Sequence, residues 1–191
     1  MKKLFFILML AAAGAMSAGA AAPFAADSVP AARYDWFEDP TTGKFGFKYK
    51  DREVIPAQFD EVDSFNEGLA TVKIDGKWGF IDPSGKLVIP ARYDNVWYFR
   101  EGLAAVEING KWGYIDPSGN MVIPTVYDYA FYMSEDLAPV VINEKWGYID
   151  RSGKMVIPAK YDDAGSFTDG RASVELNGRT FTIDRSGREI Q

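Results

Sequence analysis

The stretch KWGYIDPSGNMVIP, Lys111–Pro124, decides the reading of this chain, because the sequence says nearly the same thing three more times. Lys77, Lys111, Lys145 and Arg179 stand 34 residues apart, as do Trp78, Trp112 and Trp146, and again Pro90, Pro124 and Pro158. Phe45-Gly46 and Ile55-Pro56 carry the pattern one unit earlier. A fixed period of this length marks a repeat architecture in which each unit buries its apolar face against the next. Units that begin just after each Ile-Pro are 57–90, 91–124, 125–158 and 159–191, with a shortened unit at 31–56.

Strands are legible inside a unit. Ala104, Val106 and Ile108 alternate with other residues, and Ala70, Val72, Ile74, then Ala138, Val140, Ile142, then Ala172, Val174, Leu176 repeat that apolar face. Asp75-Gly76, Asn109-Gly110 and Asn177-Gly178 follow, the residues that suit a two-residue hairpin turn with both central φ angles positive. The strand Trp-Gly-Tyr/Phe-Ile-Asp comes next, then a Pro-Ser-Gly or Arg-Ser-Gly turn, then a strand that the Ile-Pro proline is expected to end. The expected fold is all-β: about five 34-residue, three-stranded antiparallel meanders stacked as an open or curled solenoid. A small propeller-like closed ring is the alternative, although a propeller blade has four strands and about 40–45 residues.

A two-residue turn at Asn109-Gly110 fixes the register by counting. Ile108 faces Lys111, Glu107 faces Trp112, Val106 faces Gly113 and Ala104 faces Ile115. Gly113 then leaves a gap on the Ala/Val/Ile face, which an aromatic ring from a neighbouring unit is expected to enter. Trp78, Trp112 and Trp146 lie on the opposite face with Phe80, Tyr114 and Tyr148. Such a ladder suits stacking on a sugar polymer if exposed, or a second core if buried. Burying one ring of about 150–250 Å² is worth about 4–6 kcal/mol as an upper bound, which favours the core. Trp78, Gly79, Trp112, Gly113, Trp146 and Gly147 are therefore read as structural repeat residues.

The segment EGLATVKIDGKWGFIDPSGKLVIPARYD, Glu67–Asp94, with its copies at 101–128 and 135–162, resembles the WG-repeat (KWG-repeat) family across about 31–191. The resemblance implies a bacterial β-rich repeat protein, a class often exported or joined to other domains. It implies no enzymatic activity. Phe45 in place of Trp, Asp136 and Arg171 in the EGLA segment, and the final Thr180-Phe181 depart from the pattern.

The first twenty residues, MKKLFFILMLAAAGAMSAGA, read as a secretory signal peptide: two lysines, an apolar core at Leu4–Ala13, and Ala18-Gly19-Ala20 as the cleavage site. Residues 21–30 read as a flexible lead-in. The expected location is the periplasm or the cell exterior of a bacterium, with no stable membrane span after cleavage. Without residues 1–20 the chain has 171 residues, and the loss of Lys2 and Lys3 leaves 19 basic against 27 acidic side chains, a net charge of −8. Nucleic acid is not expected as a partner, since phosphate binding needs clustered Lys and Arg.

The chain has no His and no Cys, so Ser-His-Asp, Cys-His and zinc-binding arrangements are unavailable. No metal and no cofactor is expected. Carboxylates could serve a glycoside hydrolase, the less favoured reading. The recurring acids have plainer uses. Asp82, Asp116, Asp150 and Asp184 lead turns, and Asp60, Asp94, Asp128 and Asp162 are expected to cap the connectors.

Function not shared by all units belongs where the units differ. After the recurrent Asp the connectors read EVDSF, NVWYF, YAFYM and DAGSF. The middle two place Trp97-Tyr98 and Phe131-Tyr132 where the flanking units have Asp63-Ser64 and Gly165-Ser166, and Tyr129 adds a ring. Stacking brings these connectors side by side, so Trp97, Tyr98, Tyr129, Phe131 and Tyr132 form the candidate partner-binding patch, with Arg100 and Glu101 beside it. Two functions follow: a non-catalytic exported module that docks an envelope protein or glycan, or a structural spacer whose aromatics are all internal.

Overall fold

The structure is a computed structural model that describes Pro30 and residues 33–191. The leader at 1–20 and all of the lead-in except Pro30 lie outside the described residues. Among the described residues, nineteen strands form five antiparallel sheets in sequence order. Sheet I holds β1 (Asp35–Glu38), β2 (Phe45–Tyr49) and β3 (Arg52–Phe59). Sheet II holds β4 (Glu61–Val62), β5 (Ala70–Ile74), β6 (Lys77–Ile81) and β7 (Leu87–Tyr93). Sheet III repeats it with β8 (Asn95–Val96), β9 (Ala104–Ile108), β10 (Lys111–Ile115) and β11 (Met121–Tyr127). Sheet IV follows with β12 (Tyr129–Ala130), β13 (Leu137–Ile142), β14 (Lys145–Asp150) and β15 (Met155–Tyr161). Sheet V has β16 (Asp163–Ala164), β17 (Arg171–Leu176), β18 (Arg179–Asp184) and β19 (Glu189–Ile190). None of the sheets closes on itself.

The register of β9 and β10 is the one that counting predicts, from Ile108 opposite Lys111 to Ala104 opposite Ile115. The turn at Asn143–Glu144 keeps the same left-handed geometry although Glu stands where the other units have Gly, with φ 50° and 63°. Two features differ from the three-stranded expectation. Sheets II to V gain a fourth strand, because two residues of each connector pair with the following strand: Asn95 with Glu107 and Val96 with Val106, for example. Nor does proline end the third strand. β11 runs through Pro124 to Tyr127, and the sheet therefore extends past the Ile-Pro boundary of the sequence unit.

Glycine explains how. Trp112 pairs with Tyr127 and Tyr114 with Ile123, so two steps on β10 are spanned by four on β11, a wide bulge that contains Pro124. Sheets I, II and IV carry the same shift. In the bulge the missing proline N–H costs no ladder bond. The bulged backbone folds directly over Gly113, where a Cβ would lie 2.4 Å from the Ile123 carbonyl oxygen and 2.7 Å from the Pro124 carbonyl carbon. The gap opposite Val106 is thus filled by the unit's own third strand rather than by a neighbour's ring. Gly46, Gly79 and Gly147 are overlain in the same way.

The two faces of a sheet are halves of successive interfaces. Phe80, Ile89 and Tyr93 from sheet II pack with Phe99, Ala104, Val106 and Ile115 of sheet III. Tyr114, Ile123 and Tyr127 of sheet III pack with Ala138, Val140 and Ile149 of sheet IV, and Tyr148, Ile157 and Tyr161 meet Ala172, Val174 and Ile183 of sheet V. Large rings from one unit thus fill the space left by small and branched residues of the next. Tyr114, Tyr148 and Phe80 are fully buried.

Polar staples accompany this packing. The turn-leading Asp82, Asp116, Asp150 and Asp184 accept backbone N–H groups two and four residues on, as local turn chemistry requires. The other recurrent acids join units rather than capping connectors. Asp94 pairs with Lys77 and accepts the Asn109 N–H at 2.7 Å; Asp128 pairs with Lys111 and accepts Asn143, and Asp162 pairs with Lys145 and accepts Asn177. A second ladder uses Glu67, whose carboxylate accepts the Glu101 and Gly102 N–H groups at 2.7 and 2.8 Å; Glu101 in turn accepts those of Glu135 and Asp136. Glu135 continues the ladder to Gly170.

Candidate functional site

The connectors are placed from both sides. Trp97 N–H donates to the Ala105 carbonyl at 2.9 Å and Phe131 N–H to the Pro139 carbonyl at 3.1 Å, which ties each aromatic pair to the second strand of its own sheet. From the preceding sheet, the Tyr114 hydroxyl donates to the Phe131 carbonyl at 2.7 Å. Burial pushes the Tyr114 pKa far above its ordinary value, so this hydroxyl stays a donor. Tyr148 holds Gly165 in the same manner, whereas Phe80 in sheet II has no hydroxyl to offer Trp97.

The repeat step then stacks like on like. Trp97 and Phe131 rings lie 5.4 Å apart, and Tyr98 and Tyr132 are stacked at 5.4 Å with 25° between their planes. Tyr129 contacts Phe131 edge-on at 5.3 Å. All five candidate residues therefore belong to one cluster, and each is half-buried. The cluster also takes in two rings read from sequence as structural. Phe131 stacks on Trp146 at 5.6 Å and 18°, and Tyr129 lies between Trp112 at 5.2 Å and Trp146 at 5.8 Å. The signal was present in the register: Tyr129 and Val141 occupy face positions that hold Asn95 and Glu107 in the preceding sheet, so only sheet IV extends its Trp with apolar neighbours.

Trp112 is 6% exposed, and Trp78 and Trp146 are half-buried. Lys73 lies over the Trp78 ring at 5.5 Å, whereas Trp112 and Trp146 have Tyr129 as a ring neighbour. Gly79, Gly113 and Gly147 are buried beneath their bulges.

Polar groups border the rings. Arg100 lies 4.7 Å over the Tyr132 ring and donates to the Ser134 hydroxyl at 3.1 Å. Ser134 is buried and its hydroxyl donates to the Phe167 carbonyl at 2.8 Å, which ties the guanidinium to the connector between β16 and β17. Burial raises the Tyr98 pKa, and the Tyr132 hydroxyl adds to that rise while Arg100 opposes it. Burial likewise raises the Tyr129 pKa, and the neighbouring Trp97 side chain opposes that rise. Glu101 is committed to the ladder and does not face the patch.

Among the described residues, no three acids gather where they could hold a metal ion, and no helix is long and apolar enough to cross a membrane. Asp94, Asp128 and Asp162 are held below the usual carboxylate range by their lysines first and the turn N–H groups second. These are the electrostatics of fully charged structural acids, not of a raised general acid.

A crystal structure of a eukaryotic initiation factor is similar in fold, with a TM-score of 0.55 at 11% identity over 82% of this chain. The present chain spans 50% of that one, and the likeness concerns the fold alone. A plant lectin with two metal binding sites from Cicer arietinum aligns over 69% of this chain and 91% of its own at 13% identity, but with a TM-score of 0.30 the match carries no argument. No curated protein matches the sequence. The WG containing repeat matches four times in succession, at 48–78, 78–112, 112–146 and 146–179, the three internal boundaries falling on Trp78, Trp112 and Trp146. With its 34-residue period, overlain glycines and repeated Lys-Trp-Gly triplets, the chain belongs to the WG containing repeat family.

Proposed function

We propose that this chain is a non-catalytic, exported interaction module that docks a protein of the bacterial envelope on the patch formed by Trp97, Tyr98, Tyr129, Phe131 and Tyr132. The observation that carries this reading is the break in the repeat. Only the two middle connectors bring half-buried rings together, and they do so across one sheet-to-sheet joint. Tyr, Trp and Arg are the residues that dominate the energetics of protein interfaces. A protein partner suits the geometry better than a glycan. Sugar stacking needs a free ring face, whereas Phe131 stacks on Trp146 and Tyr132 is engaged by both Tyr98 and Arg100. Export rests on the leader-like residues 1–20.

The test is affinity capture from an envelope fraction with the unaltered chain and with Tyr98→Ser/Tyr132→Ser, which gives the middle units the residues of Ser64 and Ser166. A captured protein that the variant loses, with its melting temperature retained, supports the proposal. Equal capture by both chains, or retention of a glycan on an array with no captured protein, rejects it. A sharply lower melting temperature with no lost partner, for this variant and for Trp97→Ala/Phe131→Ala, favours the spacer.

A further inference from the structure

We infer that Arg100 is an anion receptor within the patch and that the docked protein presents a carboxylate to it, from an acidic side chain or a chain terminus. The inference rests on the proposed interaction patch and names the chemistry that it recognises. Asn66, Ser134 and Thr168 occupy the matching position in the other units, so the cation is present only where the aromatic rings are. Arg100 is half-buried and fixed from two sides, by the Tyr132 ring at 4.7 Å and the Ser134 hydroxyl at 3.1 Å. Among the described residues no ion pair includes it, whereas the recurring Lys77, Lys111 and Lys145 each hold an aspartate. The acids of its own loops do not compensate it. Glu67 and Glu101 each have two backbone N–H donors from the next unit, so their carboxylates are turned along the ladder.

A guanidinium has five N–H donors in a planar fork, and the two neutral hydroxyls of Ser134 and Tyr98 engage only part of it, which leaves donors and the full positive charge for a second group. Carboxylates fit it bidentately, and such a pair strengthens in a site walled by rings because water screens it less. The chain as a whole is acidic, with a net charge of −6, which disfavours anions elsewhere on its surface and makes this position selective.

The experiment is an NMR titration of the full chain that follows the Arg100 Nε–H and the Tyr98 and Tyr132 ring protons. Three probes are used: N-acetyl-phenylalaninate, its uncharged amide, and glucuronate. We expect saturable shifts at Arg100 and both tyrosines with the carboxylate, at least tenfold weaker binding of the amide and of glucuronate, and loss of the difference in Arg100→Gln. Equal shifts with carboxylate and amide overturn the anion receptor while leaving the patch in place. Equal affinity for glucuronate overturns the protein carboxylate in favour of an acidic sugar. No shift at any of these protons with any probe removes both the receptor and the patch. The readout on the unaltered chain stands even if Arg100→Gln fails to fold.

Discussion

Gly113→Ala tests the account of the Trp-Gly pair most directly. The added Cβ would lie 2.4 Å from the Ile123 carbonyl oxygen and 2.8 Å from the Pro124 carbonyl oxygen. Both neighbours are main chain, so no side chain can rotate away, and β11 must lift off β10 along its bulge. Overpacking of this kind costs about 1–3 kcal/mol where side chains can adjust. Backbone displacement belongs at the upper end of that range. Against it stands the gain of about 0.4–1 kcal/mol that Gly→Ala brings by restricting the unfolded chain. The net expectation is a loss of about 2 kcal/mol, or a fall of about 4–8 °C in Tm for a chain of this size. Urea and thermal melts followed by tryptophan fluorescence measure it. Gly79→Ala and Gly147→Ala, with contacts at 2.6 Å, should behave alike. A neutral or stabilised Gly113→Ala would refute the reasoning, because it would mean that the overlying strand does not need the bare Cα.

Four further expectations follow from the same geometry. Glu144→Gly should stabilise the chain by about 1 kcal/mol, because Glu144 holds φ 63° where its counterparts are glycine, and chemical denaturation reads the gain. Tyr114→Phe removes the hydroxyl from the Phe131 carbonyl and should cost about 1 kcal/mol, with sharper ring-proton changes at Phe131 than at Trp78 as the NMR check. Glu101→Ala frees the Glu135 and Asp136 N–H groups, so hydrogen exchange should quicken at those two amides before it changes at β13. Stability should also fall in acid. Asp94, Asp128 and Asp162 have lowered folded pKa values, so their contribution is complete above the unfolded value of about 3.9 and is lost as pH falls through the folded values. A Tm series from pH 6 to pH 2 checks this, and Lys111→Met should flatten part of the decline.

The parts of the fold that obey a local rule were legible. The Asn109-Gly110 turn sets every pairing between β9 and β10, and Asp116 accepts the N–H groups its turn demands, because both depend on residues a few positions apart. What was not legible is non-local or too short. Asn95–Val96 is a strand of only two residues, below any periodicity, and exists because its backbone pairs with Glu107 and Val106. The bulge over Gly113 is a contact between main chains and leaves no side-chain pattern except the glycine itself. The Asp94 staple joins a lysine 17 residues back to a turn 15 residues ahead. In the patch, Trp97, Tyr98, Phe131 and Tyr132 were visible as departures from the repeat. Trp112 and Trp146 were hidden in it, since nothing in a conserved-looking triplet says that only two of its rings meet Tyr129.

The carboxylate ladder has a consequence for how such a chain can change length. Each of Glu67, Glu101 and Glu135 reaches forward to a turn built to the same plan, so the three joints from sheet II to sheet V speak the same dialect. Excising or duplicating one whole 34-residue period outside the central pair would rejoin compatible surfaces without new design. A cut through the joint between sheets III and IV is different: it would part Trp97 from Phe131 and Tyr98 from Tyr132, which no other pair of neighbours can replace. The number of units is thus the tolerant variable of this architecture, and the adjacency of sheets III and IV the intolerant one.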